Sequence, residues 1–330
     1  LNTSERRFAI YIKLLDNQIL NKNDLAREYN VTPRAIQRDI SQINLTFEDI
    51  CLPYRIQYER SNSGYRMHSD QHILNAQEIL VLVKVLLASR ALNQRELIHT
   101  VDGLLNLANS QIRSQVRPLI QNEIFNYTPL HHQQNLLDKI WTLSKYITQK
   151  KAIEIRYHRQ HSETVIRNIL PQAVIFSEYY FYLVSYNPDY KDNLLYRIDR
   201  IEDYHVTGKI DLAYKDRFEE GKFRQKIQFM YPGKLIHLKF QFWGIVEAAL
   251  DRIPTAKVVA HCDANGNLLS DHSSKQPQNG GSVIIEADTF GERGVMMWLL
   301  SQGQNVEVLA PKSLVTNIKK EAQSILQRYE

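Results

Sequence analysis

The stretch that most constrains this chain is residues 24–43, DLAREYNVTPRAIQRDISQI. Leu25, Ala26 and Tyr29 fall on one face of a short helix. Ile36 and Ile40 fall on one face of a second, and Val31 fills the turn between them. Ala26 is small enough to let two helices cross closely at a steep angle. Asn30 stands where the turn needs a positive φ, which glycine adopts most easily and asparagine next. Thr32 suits the N-cap of the second helix and Pro33 its first position. The outward face of that helix carries Arg34, Gln37 and Arg38, side chains that reach guanine, adenine and phosphate in a major groove; Thr32, at its start, is counted with them. Two helices joined in this way form a helix-turn-helix whose second helix reads as the recognition helix. The competing reading is an ordinary helical hairpin of a globular core.

The residues that follow weigh against that competitor. Tyr54–Glu59 alternates as a strand, Ser61-Asn62-Ser63-Gly64 is a tight turn, and Tyr65–His68 returns, which makes a hairpin of the kind called a wing. Arg60 at its tip and Arg66 on its return strand are placed to meet phosphates or a minor groove. Residues 3–17 read as an amphipathic helix with Phe8, Ile12 and Leu15 on one face and Thr3 or Ser4 as its cap. The motif resembles the helix-turn-helix of the DeoR-type winged repressors. Their LA-xx-hG-hS followed by TIRRDL appears here as LAREYNVT followed by AIQRDI. Asn30 replaces the usual glycine, and Ala35 and Gln37 replace threonine and arginine, which leaves the base preference open.

The chain has 330 residues, enough for two to four domains with cores of their own. Its longest apolar run, ILVLVKVLLA at 79–88, holds a lysine and is too short to span a bilayer, so no membrane is expected as a partner. No basic segment followed by an apolar stretch marks a leader. The two cysteines, Cys51 and Cys262, lie far apart and fit reduced thiols in a cytoplasm. A net charge of +5 favours polyanionic partners only weakly.

Residues 71–148 read as a helical connector that also forms a dimer contact. Asn75 and Glu78 make a capping box for a helix from Ala76 to about Leu92, apolar nearly all round and expected to be buried. Leu104, Leu105 and Leu107 mark another helix. Gln133–Gln149 makes a third, with Leu136, Ile140, Leu143 and Ile147 in register. His131-His132 has no spaced third ligand and reads as ordinary histidine rather than a metal site.

From Lys151 to His205 the hydrophobic period changes from that of a helix to that of a strand. AIEIRYH, ETVIRNIL, QAVIF, YYFYLVSY and NLLYRIDRIEDYHV alternate, with turns between them, as a small β-barrel would. This stretch resembles the WYL domain, an Sm-like barrel of bacterial transcription regulators. The naming tripeptide appears as Phe181-Tyr182-Leu183, the strand after it as Tyr196-Arg197-Ile198-Asp199-Arg200-Ile201, and the opening motif as Ile155-Arg156-Tyr157. The resemblance implies that the barrel binds a regulatory ligand, a nucleotide or nucleic-acid fragment, through Tyr157, His158, Tyr182, Arg197 and Arg200. Arginines grip phosphate with paired N–H donors, and tyrosines offer a stacking face. Arg197 and Arg200 point to opposite faces of a regular strand and meet one ligand only if the strand bends or ends between them. Core packing is the standing alternative for each tyrosine. Arg156, Arg159 and Arg167 are left open between the ligand site and a solvated face.

Residues 209–234 read as a linker with some helix, and 235–330 as a separate α/β unit whose β-α-β-β-α-β order fits a ferredoxin-like sandwich. Trp298-Leu299-Leu300-Ser301-Gln302-Gly303 and Val306-Glu307-Val308-Leu309-Ala310-Pro311 resemble the extension that follows WYL domains (WCX), which implies an exchange across a homodimer. There is no P-loop, no GxGxxG after a strand, no HExxH and no GxSxG, so neither an enzyme nor a cofactor is expected. Asn279-Gly280-Gly281 reads as a hairpin loop rather than a phosphate cradle. The fold class is therefore α+β and multidomain: winged helix-turn-helix (1–70), connector (71–148), barrel (149–208), linker, and C-terminal extension. The function expected is a ligand-responsive repressor that binds a double-stranded operator with inverted repeats as a homodimer. The order of parts also resembles regulators of anti-phage defence islands. An activator of the same architecture, or an accessory protein that holds single strands in its barrel, are the alternatives.

Overall fold

The computed structural model describes the chain apart from residues 70–73, 109, 161–162, 191, 210–217 and 270–279. It forms two compact units, Leu1–Asn135 and Leu136–Glu330. The first unit opens with three helices, α1 (Thr3–Leu15), α2 (Lys22–Glu28) and α3 (Pro33–Asp49), and a hairpin of β1 (Tyr54–Glu59) and β2 (Gly64–Ser69). Ile10, Leu14, Leu25, Ala26, Ile36, Ile40, Ile43, Phe47 and Ile56 form its core. Asn30 takes the expected left-handed turn, at φ 51°. The Thr32 side chain accepts from the Ala35 N–H to cap α3. Asn44 of α3 clamps the hairpin, donating to the Ile56 carbonyl at 2.9 Å and accepting its N–H at 2.7 Å.

Helix α1 differs from the expectation in two ways. Its cap is Asn2, in a capping box with Glu5, rather than Thr3 or Ser4. Its buried face is Arg6, Ile10 and Leu14, whereas Phe8, Ile12 and Leu15 are exposed. The apolar stripe misled because Arg6, a charged residue, takes an inward position; Asp39 of α3 supplies the partner that makes this burial possible.

The rest of this unit is α4 (Ala76–Ser89), α5 (Gln94–Asn106) and α6 (Ser110–Phe125). The Asn75–Glu78 capping box is present. Helix α4 is not buried all round: Ile79, Val83 and Leu87 are covered, whereas Val81, Leu82 and Val85 are exposed. Its packing against α5 and α6 covers a single stripe. In α5 the buried residues are Leu97, Val101 and Leu105, and Leu107 lies outside on the surface. Helix α6 has no counterpart in the sequence reading; Pro118 in its interior and sparse apolar residues hide its period.

The second unit begins with α7 (Leu137–Thr148), which packs on the barrel strands β3 (Lys151–His158) and β4 (Thr164–Ser177). With β5 (Tyr180–Asn187), β6 (Asp192–Arg197) and β7 (Ile201–Lys209) these make one antiparallel sheet in the order β6-β5-β4-β3-β7. The 14-residue β4 serves both halves: Thr164–Ile169 pairs with β3, and Leu170–Ser177 pairs with β5. A bulge between Pro171 and Ala173 bends it at the corner. A 3-10 turn, Ile198–Arg200, joins the two edge strands.

The segment read as a linker is packed where it is described. It contains α8 (Glu220–Lys226), and Phe223, Ile227 and Met230 pack with Ala173, Ile175 and Val184 of the barrel. Residues 210–217 lie outside the described residues. The extension follows as β8 (Leu235–Phe242), α9 (Val246–Arg252), β9 (Lys257–Cys262), the two-residue β10 (Leu268–Leu269), β11 (Ser282–Phe290), α10 (Glu292–Ser301), β12 (Val306–Ala310) and α11 (Lys312–Leu326). Its antiparallel order, β10-β9-β11-β8-β12, puts β8 and β11 at the centre with β9 and β12 beside them, as in a ferredoxin-like sandwich. The core is built on Phe240, Phe242 and Trp298. Asn279 lies outside the described residues, and Gly280 next to it has φ 78°.

Candidate functional site

Two separate surfaces carry the expected side chains. The first is on the N-terminal unit. Ile36, Ile40 and Ile43 take the inward face of α3, which turns Arg34, Gln37 and Arg38 outward. These three share one shallow surface depression with Ser41. Thr32 is exposed at the start of the same helix. On the hairpin, Arg60 is exposed at the tip. Arg66 is less free, because its Nε donates to Asn17 Oδ1 at 3.1 Å and Glu59 lies 3.9 Å away. It braces the wing against the residue that follows α1. Two residues that the sequence reading did not single out, Arg55 and Gln57, are exposed on β1 opposite His68 and Arg66. The alternation about buried Ile56 was the signal for them.

Helix α3 is fixed to α1 by charge as well as by packing. The Asp39 carboxylate is nearly inaccessible and accepts from Arg6 Nε at 2.7 Å and from Arg7 Nε at 2.8 Å. Arg34 and Arg38 both precede this anchor on the same helix, Arg38 immediately.

The second surface is a cleft of about 590 Å³ on the C-terminal unit. Tyr157, Tyr182, Arg197 and Arg200 line it together, with Arg159, Arg167, Tyr190, Tyr196, Phe229 and Tyr231. Among the described residues no aspartate or glutamate lines it, and Arg167 and Arg200 have no carboxylate partner there. His158 does not join the cleft. As the neighbour of Tyr157 on a strand it points the other way, with Nδ1 3.3 Å from Thr164 Oγ1 and 3.8 Å from Glu202. Arg156 shares that opposite face and pairs with Glu202 at 2.9 Å.

The 3-10 turn explains how Arg197 and Arg200 reach one space. The strand ends at Arg197, and the turn of Ile198–Arg200 rotates Arg200 back toward the cleft. Arg197 is held in a two-point pair with Asp199, at 3.1 and 2.7 Å, and its guanidinium lies 3.4 Å from the centre of the Tyr180 ring. Asp199 therefore neutralises Arg197 in part and fixes its direction. The Tyr157 ring meets Tyr196 edge-on at 5.1 Å, and its hydroxyl accepts from the Arg197 N–H at 3.4 Å.

Burial pushes the Tyr182 hydroxyl up to about 12, against the favourable charge of Arg197. A folded value above the unfolded one means that this tyrosine's contribution to stability is whole below pH about 10 and is lost as pH rises toward 12. Ultraviolet titration of the phenolates should therefore show a late component near pH 12 that disappears in Tyr182→Phe. A Tyr182→Phe curve identical to that of the parent would refute the burial argument.

The folds agree with family comparisons. The chain matches the HTH domain over residues 6–66, the WYL domain over 138–206 and the WCX domain over 252–326. The chain is a WYL-domain protein. The WYL match begins within α7 and ends in β7, so it takes in the barrel and the helix packed on it. An HTH domain joined to a WYL domain is the domain set of DNA-binding transcriptional regulators. No curated protein matches the WYL-domain protein. Among solved structures it is similar to proteasome accessory factor B/C (PafBC) of Arthrobacter aurescens, at 14% identity and a TM-score of 0.30, over 98% of this chain and 48% of that one. It is also similar to a CRISPR Cas-related protein, at 13% identity and a TM-score of 0.36, over 96% of this chain and 80% of that one. The chain thus spans about half the length of the first of these. No helix among the described residues is long and apolar enough to cross a membrane. Among the described residues no three His, Cys, Asp or Glu side chains are grouped to hold a metal ion.

Proposed function

We propose that the WYL-domain protein is a ligand-responsive, sequence-specific repressor that binds an inverted-repeat operator as a homodimer in the cytoplasm. The observation that carries this reading is the cleft: four arginines and five tyrosines line it, with no acid among the described residues there. Such a lining suits a phosphate-bearing ligand with aromatic bases. The helix-turn-helix supplies the operator contacts through Arg34, Gln37, Arg38 and Arg60 at the wing tip, with Arg66 bracing the wing. A ligand in the cleft shifts DNA binding only in so far as it favours one arrangement of the two DNA-binding units over the other. The exposed apolar residues Val81, Leu82 and Val85 on α4 support the homodimer, with a second copy as their cover.

A gel-shift titration against the duplex upstream of the protein's own gene tests the reading, at several salt concentrations and with short 5′-phosphorylated oligonucleotides added. Sequence-dependent binding with a steep salt slope, weakened by an oligonucleotide and no longer weakened in Arg200→Ala, is the expected result. Strengthened binding would make the protein an activator of the same design. Sequence-blind duplex binding beside tight single-strand binding would replace the regulator with an accessory protein that holds single strands.

A further inference from the structure

The cleft has two walls of different origin. The barrel gives the arginines and tyrosines already described. The other wall is the strap Phe229-Met230-Tyr231-Pro232, which lies between α8 and β8 and belongs to neither the barrel nor the extension. Three observations show that this strap is held in a set conformation. Phe229 and Met230 both have positive φ, 49° and 54°, which side-chain-bearing residues rarely adopt, still less in succession. Two guanidiniums of the extension lie on its rings: Arg252 of α9 is 4.1 Å from the centre of Phe229, and Arg293 of α10 is 5.0 Å from that of Tyr231. The backbone is also pressed against glycines. A Cβ at Gly294 would stand 2.0 Å from the Gln228 carbonyl oxygen, and one at Gly233 2.6 Å from the Gly291 Cα.

A strained strap that lines an anion-binding cleft and presents two aromatic rings has a use beyond closing the core. We propose that the strap reads the base of the ligand while Arg167 and Arg200 hold its phosphate, and that Arg252 and Arg293 are positioning residues for this base-reading wall. The inference rests on the cleft being the ligand site. Each ring carries a cation and still lines the cleft, Phe229 while also packing against the core of the extension. The barrel tyrosines line the same space, so a planar group entering it meets aromatic side chains of both walls. The arrangement discriminates a base-bearing phosphodiester from a bare one. The arginines alone cannot do this, since they see only charge.

The test compares two probes of equal charge on the full-length protein: 5′-phosphorylated tetrathymidylate, and the abasic phosphodiester of the same length. Binding of each is measured by calorimetry, and the ratio of affinities reports base recognition. In the parent protein the ratio should be at least about tenfold in favour of the base-bearing probe. Phe229→Leu, which keeps apolar volume, and Arg252→Gln should bring the ratio toward one while leaving abasic affinity unchanged. Arg252→Lys retains a cation over the ring and should restore the ratio. Glu178→Gln, which removes the ion pair to Arg252 at 2.8 Å but leaves the cation on Phe229, should change little. Arg200→Ala should weaken both probes alike. A parent that binds neither probe, or an Arg200→Ala that binds both as well as the parent, overturns the cleft and the strap together. Loss of both probes in Arg200→Ala with an unchanged ratio in Phe229→Leu and Arg252→Gln overturns the strap alone.

Discussion

Asp39→Ala should destabilise the N-terminal unit by about 3–5 kcal/mol, measured by urea unfolding, because it removes one partner of a buried ion cluster and strands the other. Asp39 keeps only 2% of its side-chain surface and Arg6 only 9%, so water cannot replace the lost carboxylate at Arg6. Arg7 keeps 37% and can turn its guanidinium outward. Arg7→Ala should therefore cost much less than Arg6→Ala, within about 1 kcal/mol. Asp39→Asn preserves shape and one acceptor but not the charge, and should fall between the parent and Asp39→Ala. The control that separates stranding from the worth of the pair is Arg6→Met with Asp39→Leu. Replacing both partners by apolar groups of similar size is often nearly neutral. A double variant as unstable as Asp39→Ala would show that the ion cluster itself, and not an orphaned guanidinium, sets the stability.

That cluster also marks where sequence reading stops. Helix α1 could be drawn from its period, but its inward face could not. The strongest apolar stripe, Phe8, Ile12 and Leu15, is the exposed one, and the inward stripe begins with an arginine whose partner lies 33 residues on. Long-range charge pairing leaves no local pattern. By contrast, the turn at Asn30, the cap at Thr32 and the capping box of α4 depend on neighbours within four residues, and all were legible. The cleft was legible in part. Tyr157, Tyr182, Arg197 and Arg200 came from the motif; His158 was carried over with them, although a strand turns it to the face opposite Tyr157. Arg159 follows from the same pleat, two residues beyond Tyr157. Phe229 and Tyr231 come from a segment whose charges, proline and glycines read as a linker with some helix. Only the packed backbone shows that it is a wall of the cleft.

Arg34→Ala combined with Arg38→Ala should weaken operator binding by about 2–6 kcal/mol, since each lost base contact costs about 1–3 kcal/mol. That is a fall from about thirtyfold to more than ten-thousandfold, read by fluorescence anisotropy on the operator duplex. Stability should hardly change. Both side chains are exposed, the buried stripe of Ile36, Ile40 and Ile43 is untouched, and alanine keeps the helix at least as well as arginine. The salt dependence separates the roles of the two positions. An arginine on a phosphate lowers the slope of log affinity against log salt by about one when removed and weakens all sequences alike. An arginine on a guanine leaves the slope nearly as it was and relaxes specificity at one base pair. Arg60→Ala at the exposed wing tip should behave as a phosphate contact. Arg66→Ala should instead lower stability, because its guanidinium ties the wing to Asn17. Operator binding that survives Arg34→Ala and Arg38→Ala together would mean that α3 is not the recognition helix. The outward row on β1, Arg55 and Gln57, would then be the next surface to test.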